Sequence, residues 1–184
     1  ALVLGHLDTG QHGELDLDGF RAKDGKTLEV KFSVLTGVKV SENEGAQFQN
    51  QLKEIGIKVT LVQVASKDFS PTLAKRTFET IAFTWVGNQF PYNGLAQWFN
   101  PKSSSNFSGY NNDKVTELIG KIATEMDPTK RDQYVLEAEK MIWEDVQIIP
   151  LYQRPEQVAT KATLANFGAY GLGSRTWEVI GWVK

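Results

Sequence analysis

The stretch "KTLEVKFSVLTGVKVSENEGAQFQNQLKEIGIKVTLVQV", residues 26–64, decides the fold. Leu28, Val30, Phe32 and Val34 alternate as the apolar residues of a half-buried strand do. Ser41 and Glu44 have the spacing of a capping box. Phe48, Leu52 and Ile55 then fall on one face of a helix, and Gly56 suits its stop. The β-branched run "IKVTLVQV" follows at once. Strand, helix and strand with short joins make a βαβ unit, which favours a parallel pair with a right-handed crossover. The chain is therefore expected to be α/β.

Upstream, Asp24-Gly25 is a strong two-residue turn signal, so residues 20–34 read as a hairpin. Residues 1–19 show no sustained period and read as a loosely ordered lead-in. Downstream, a short helix is expected from Ser70 to Arg76, and "TIAFTW" (Thr80–Trp85) reads as a third, buried strand. Two amphipathic helices follow. Val115, Leu118, Ile119 and Ile122 form the stripe of the first. Asp127-Pro128 is a cap with proline at the first helical position of the second, which buries Tyr134, Ala138, Met141 and Ile142. "VQIIPLYQ" and the closing "SRTWEVIGWVK" read as further strands.

Bulk composition narrows the function classes. Of 184 residues, 41% are hydrophobic and 23% charged, which suits a globular domain rather than a disordered chain. The formal net charge is -2 and no Lys/Arg run occurs, so a nucleic-acid partner is not expected. Cysteine is absent, which removes thiolate metal sites, cysteine nucleophiles and disulfides. The apolar runs are too short to cross a membrane as a helix.

Catalytic motifs are missing as well. There is no Gly-x-Ser-x-Gly elbow, no Walker loop and no Gly-x-Gly-x-x-Gly fingerprint. "GLGSR" does not join a strand to a helix and reads as a turn. His6 and His12, near Asp8, Glu14, Asp16 and Asp18, match no familiar ligand spacing and read as solvated. The carboxylate pairs Glu137/Glu139 and Glu144/Asp145 read as a solvated helix face. No cofactor is expected, and no enzyme.

The chemistry that does stand out is aromatic. "FTWVGNQFPYNGLAQWF", Phe83–Phe99, holds two Trp, three Phe and one Tyr without a charged side chain. Gly87, Pro91 and Gly94 break it, so a broken loop is expected. It lies just past the C-terminal end of a strand, where open α/β sheets meet ligands. The residues alone leave two readings: rings that plug the core, or rings that wall a site for an uncharged or backbone-rich ligand.

Four stretches in order then bring a family into view: "AQFQNQLKEIGIKVTLVQV", "FETIAFTWVG", "NFSGYNNDKVTELIGKIATEMDPTKRDQYVLEAEKMIWEDVQIIPLYQRP" and "TWEVIGWVK". Over nearly its whole length the chain resembles the C-terminal part of the extracytoplasmic solute-binding proteins of ABC importers, in the oligopeptide/dipeptide family (family 5). "WVGNQFPY" also resembles actinobacterial members. The resemblance implies one lobe of a periplasmic-binding-protein-like (type II) clamshell, with a mixed sheet flanked by helices. Residues 20–167 would be the lobe, and residues 168–184 a tail returning to a first lobe.

It also implies a function without catalysis: capture of a short peptide between lobes and delivery to a membrane permease. The address would be extracytoplasmic, with a lipid anchor on the whole protein. The loop after the "TW" strand would face the cleft, which makes Trp85, Asn88, Gln89, Phe90 and Tyr92 the expected ligand-binding residues, with Phe107 and Tyr110 of "NFSGY" beside them. Some peptide binders of the family carry an Asp three residues after that Trp, pairing with the ligand's amino terminus. Here Asn88 stands there, and an amide lacks the charge that strengthens such a bond. The same fold binding a sugar or a nickel complex is therefore the alternative. A free-standing interaction module, using the rings and "TWEVIGWVK", is another.

Overall fold

The computed structural model describes residues 14–87, 92–171 and 173–183. Its centre is the βαβ unit. Strand β4 (Glu29–Leu35) and strand β5 (Lys58–Val64) pair in parallel through seven residue pairs, from Glu29↔Lys58 to Leu35↔Val64. Helix α1 (Lys39–Glu54) makes the crossover. A third parallel strand, β6 (Thr80–Ile81), joins the other side of β4, so the order is β5-β4-β6. Val30, Phe32 and Val34 are buried, as their alternation requires, and Phe32 packs on Phe48 of α1 with ring centroids 4.9 Å apart.

The hairpin is shorter than expected: its second strand ends at Thr27, and Glu29–Leu35 belongs to the parallel sheet instead. Two short strands, β1 (Glu14–Leu15) and β2 (Arg21–Lys23), pair antiparallel, and β2 pairs with β3 (Lys26–Thr27). Asp24 (φ 52°) and Gly25 (φ 73°) are both left-handed, which a primed two-residue turn demands. Residues 14–19, placed in the lead-in by sequence, join this small sheet because the Asp16 carboxylate accepts the Asp18 and Phe20 N–H groups and the Thr27 hydroxyl. His6, His12 and Asp8 lie outside the described residues.

Several elements differ from expectation. The capping box does not form. Helix α1 starts at Lys39, and Ser41 Oγ accepts the Leu35 N–H (2.9 Å) while Glu42 accepts the Gly37 N–H (3.2 Å). The tight turn at Gly37 (φ 76°) folds the end of β4 back over the helix start, so these side chains serve the strand's donors instead of the helix's. Helix α2 (Ser66–Lys75) begins four residues earlier than expected, with Pro71 in its second turn. The third strand stops at Ile81, not Trp85. Beyond it, Tyr92–Phe99 is a helix, α3, where a broken loop was expected. Gly94 is a packing residue there: a Cβ on it would lie 3.1 Å from the Trp98 ring.

Helix α4 (Asp113–Thr124) and helix α5 (Pro128–Glu144) form the second layer. Asn112 caps α4 by accepting from Lys114 N and Val115 N, and Asp127 caps α5 by accepting from Thr129 N and Lys130 N. The expected stripe, Val115, Leu118, Ile119 and Ile122, is buried against Ala138 and Ile142, with Leu95 and Phe99 of α3 closing that core.

"VQIIPLYQ" makes no strand beyond a single bridging residue at Ile149. Ile148 joins the helical core and Ile149 the sheet core, so the pair stitches the layers together, and Pro150 has no N–H for a ladder. The closing segment splits into a 3₁₀ turn (Trp177–Val179) and strand β8 (Gly181–Trp182), which pairs antiparallel with β7 (Leu164–Ala165).

Candidate functional site

Past the C-terminal end of β6 the chain lines a cleft of about 1350 Å³. One wall comes from residues 82–87 and α3: Phe83, Trp85, Leu95, Trp98 and Phe99. The other comes from the last turns of α5 and an extended strap, residues 150–156, with Glu44 of α1 at its edge.

The ring wall is a stack. Trp85 lies between Trp98 (centroids 5.1 Å, interplanar 29°) and Phe107 (5.4 Å, 7°), and Phe83 meets Trp85 edge-on at 5.1 Å. A loop organised by one asparagine holds Phe107 in place. Asn106, 1% exposed, donates to the carbonyls of Asn100 (3.2 Å) and Tyr110 (2.8 Å), and accepts the Tyr110 N–H (3.0 Å) and the Ser108 hydroxyl (3.1 Å). Arg76 donates to the Asn106 carbonyl (2.9 Å), which fixes the loop to the end of α2. The wall is thus preformed, with Trp85 stacked on both Trp98 and Phe107.

The strap wall is charged. Glu44 Oε1 accepts the Tyr152 hydroxyl (2.5 Å) and Arg154 Nη2 (3.1 Å). The Tyr152 and Glu44 partners together hold the Arg154 guanidinium above its ordinary pKa. Glu156 accepts Arg175 Nη2 (3.2 Å) on one oxygen, and the Tyr170 (3.1 Å) and Gly171 (3.0 Å) N–H groups on the other. Two carboxylates therefore clip the strap, one to α1 and one to the chain's last segment. Glu139 and Trp143 of α5 also line this side.

The structure brings together only part of the expected site. Trp85 stands in the cleft wall with Phe107 behind it. Asn88, Gln89 and Phe90 lie outside the described residues. Tyr92 opens α3 away from the cleft; its hydroxyl donates to Asp132 (2.6 Å) and the Arg131 guanidinium lies 4.6 Å from its ring centre, which ties α3 to α5. Tyr110 belongs to the helical core. It is 3% exposed, packs on Phe99, and donates its hydroxyl to Asp145 (2.7 Å); burial first and that carboxylate second push its phenol well above the usual range. Asp145 is exposed, as expected, and also accepts from the Tyr110 hydroxyl and the Asn112 amide. The strap, Glu44, Glu139 and Trp143 were not expected in the site. One signal existed for Trp143: it stands off the apolar stripe of its helix.

Solved structures share this fold. HbpA2 from Haemophilus parasuis superposes with a TM-score of 0.66 at 18% identity, over 85% of this chain and 32% of that one. The oligopeptide-binding protein AppA from Bacillus subtilis, in complex with a nonapeptide, gives 0.58 at 22% identity, over 72% and 27%. NikA from Brucella suis, in complex with Fe(III)-EDTA, gives 0.61 at 19%, over 70% and 26%. The fold is therefore periplasmic-binding-protein-like, type II: a parallel sheet flanked by helices. No protein-family model matches the chain. In sequence it is 32% identical over 167 residues to the oligopeptide-binding protein OppA of Mycobacterium tuberculosis, covering 90% of this chain and 28% of that protein. An uncharacterized lipoprotein of the same organism is 31% identical over 84 residues, 44% of this chain and 14% of that protein. The chain is thus similar over most of its length to the oligopeptide-binding protein OppA, and spans little more than a quarter of the length of the OppA relatives it matches.

Proposed function

We propose that this chain is part of the solute-binding component of an ABC importer and takes short peptides in the cleft between the ring wall and the strap. The observation that carries this reading is the cleft itself: a preformed aromatic wall past the end of a parallel strand, in a chain with this degree of identity to an oligopeptide-binding protein. Neutral rings contact backbone and side chains of many kinds with little entropy cost, which suits a ligand class rather than one ligand. Residues 20–167 would form one lobe and residues 168–184 a segment that meets a second lobe. Ligand would then bridge the lobes and stabilise the closed form, which the permease receives. On this reading the protein performs no catalysis, and it works outside the cytoplasm, held by a lipid anchor, as the lipoprotein relative suggests.

Half a cleft leaves the ligand wet and supplies fewer contacts. A titration of this chain with tripeptides, followed by amide chemical shifts, should move residues 83–87 and 150–156 with weak, side-chain-tolerant affinity. Micromolar binding by this chain alone contradicts the two-lobe mechanism.

A second reading keeps the fold and changes the solute. The uncharged Asn88 favours it, and NikA with its bound Fe(III)-EDTA is a neighbour in fold. It expects one sugar or metal chelate to displace all peptides.

A further inference from the structure

Among the charged side chains and exposed rings that line the cleft, Glu139 and Trp143 have no partner among the described residues, and both are on α5; the buried indole N–H groups of Trp85 and Trp98 are unpartnered as well. Trp143 is 59% exposed and has no ring partner among the described residues, whereas Trp85 stacks on Trp98 and Phe107. Glu139 stands four residues before it, one helical turn away on the same face. Charge accounting singles out Glu139. The other cleft carboxylates are engaged, Glu44 by Tyr152 and Arg154, Glu156 by Arg175 and two backbone N–H groups. Arg154, the one cation among the described lining residues, is held by Glu44. Glu139 has no hydrogen bond or ion pair among the described residues, and its neighbour Lys140 pairs with Glu144. The cleft wall therefore carries uncompensated negative charge at one place, beside an open indole.

A carboxylate and an aromatic face one turn apart are the two groups that together hold an ammonium: the carboxylate by a charge-assisted hydrogen bond, the ring through its quadrupole. We propose that Glu139 and Trp143 form an ammonium subsite of the cleft. This rests on the peptide reading above and deepens it, because it supplies the charge that Asn88 lacks. The occupant's ammonium is a peptide amino terminus or a lysine side chain, and the test separates them.

The test titrates the 15N-labelled chain and its Glu139→Gln variant with three probes: trialanine amide, N-acetyl-trialanine amide, and N-acetyl-Ala-Lys-Ala amide. Glu139 is exposed, so the variant keeps the fold, which circular dichroism checks. The expected result is that one ammonium-bearing probe binds about tenfold more tightly than the acetylated neutral one, and that Glu139→Gln removes the difference. A preference for trialanine amide assigns the amino terminus, and one for the lysine probe assigns a side chain. Equal binding of all three probes overturns the subsite and leaves the peptide reading standing. An ammonium preference that survives Glu139→Gln overturns the assignment to Glu139. If no probe perturbs residues lining the cleft, the subsite and the peptide reading fall together.

Discussion

Helix α1 approaches the sheet through a single glycine, and this makes a quantitative prediction. A Cβ on Gly45 would stand 2.4 Å from Val34 Cγ1 and 3.3 Å from Leu61 Cδ2. Both neighbours belong to the β4–β5 core, so the helix has to retreat or Val34 has to leave its rotamer. Overpacking of this kind costs about 1–3 kcal/mol. Gly120, in α4, is exposed and helical too, but a Cβ there meets nothing within 4 Å. Alanine in place of glycine inside a helix contributes about 0.8–1 kcal/mol by propensity alone. Gly120→Ala should therefore stabilise the chain by about 1 kcal/mol. Gly45→Ala should fall below it by the steric cost, about 1–3 kcal/mol, and end at or below wild type. Urea denaturation of both variants reads the difference, as does thermal melting, at about 2–4 °C per kcal/mol for a chain of this size. Because Glu44 is the next residue, the retreat should also lengthen its bonds to the strap, seen as faster amide exchange over residues 150–156. If both variants stabilise the chain equally, the close helix–sheet contact described above is wrong.

Three more outcomes follow from the site. Asn106→Ala leaves the buried Tyr110 C=O without its side-chain donor and the Tyr110 N–H with only Ser108 Oγ at 3.3 Å, and should cost about 1–3 kcal/mol in denaturant melts, while loosening Phe107 enough to change tryptophan fluorescence. Glu44→Gln weakens an exposed clip, so stability should change by less than about 1 kcal/mol while hydrogen exchange over the strap accelerates. Glu79 accepts the Lys31 N–H and pairs with its ammonium at 3.2 Å, which holds its carboxyl below the ordinary range. A depressed carboxylate contributes its stability above the unfolded pKa, near 4.3, and loses it as pH falls through the folded value. The gap between wild type and Glu79→Gln should thus be present at pH 7, small because the pair is half exposed, and close as the medium is acidified below pH ~4.

Periodic features were legible in the sequence. The βαβ unit and the α4 and α5 stripes follow from alternation or 3.6-residue spacing, and the Asp127 cap of α5 from a short-range signal. What was misread depends on contacts distant in sequence. Gly94 looked like a breaker, but its missing Cβ admits Trp98 and lets α3 form. "VQIIPLYQ" read as a strand, yet its consecutive isoleucines serve two different cores. At the site, Trp85 and Phe107 were each expected to face a ligand; that their rings stack on one another was not expected. Glu137 and Glu139 are indistinguishable by pattern; only the packing of α5 beside the strap puts one of them in the cleft wall. Ser41 and Glu44 have capping-box spacing, but the turn at Gly37 and the strap drew them to other partners.

The most direct test of the central claim is mass spectrometry of small molecules released by denaturing the protein purified from its native host. A mixture of short peptides with varied side chains is expected. A single sugar or metal chelate, with no peptides, would contradict the peptide assignment and leave only the fold.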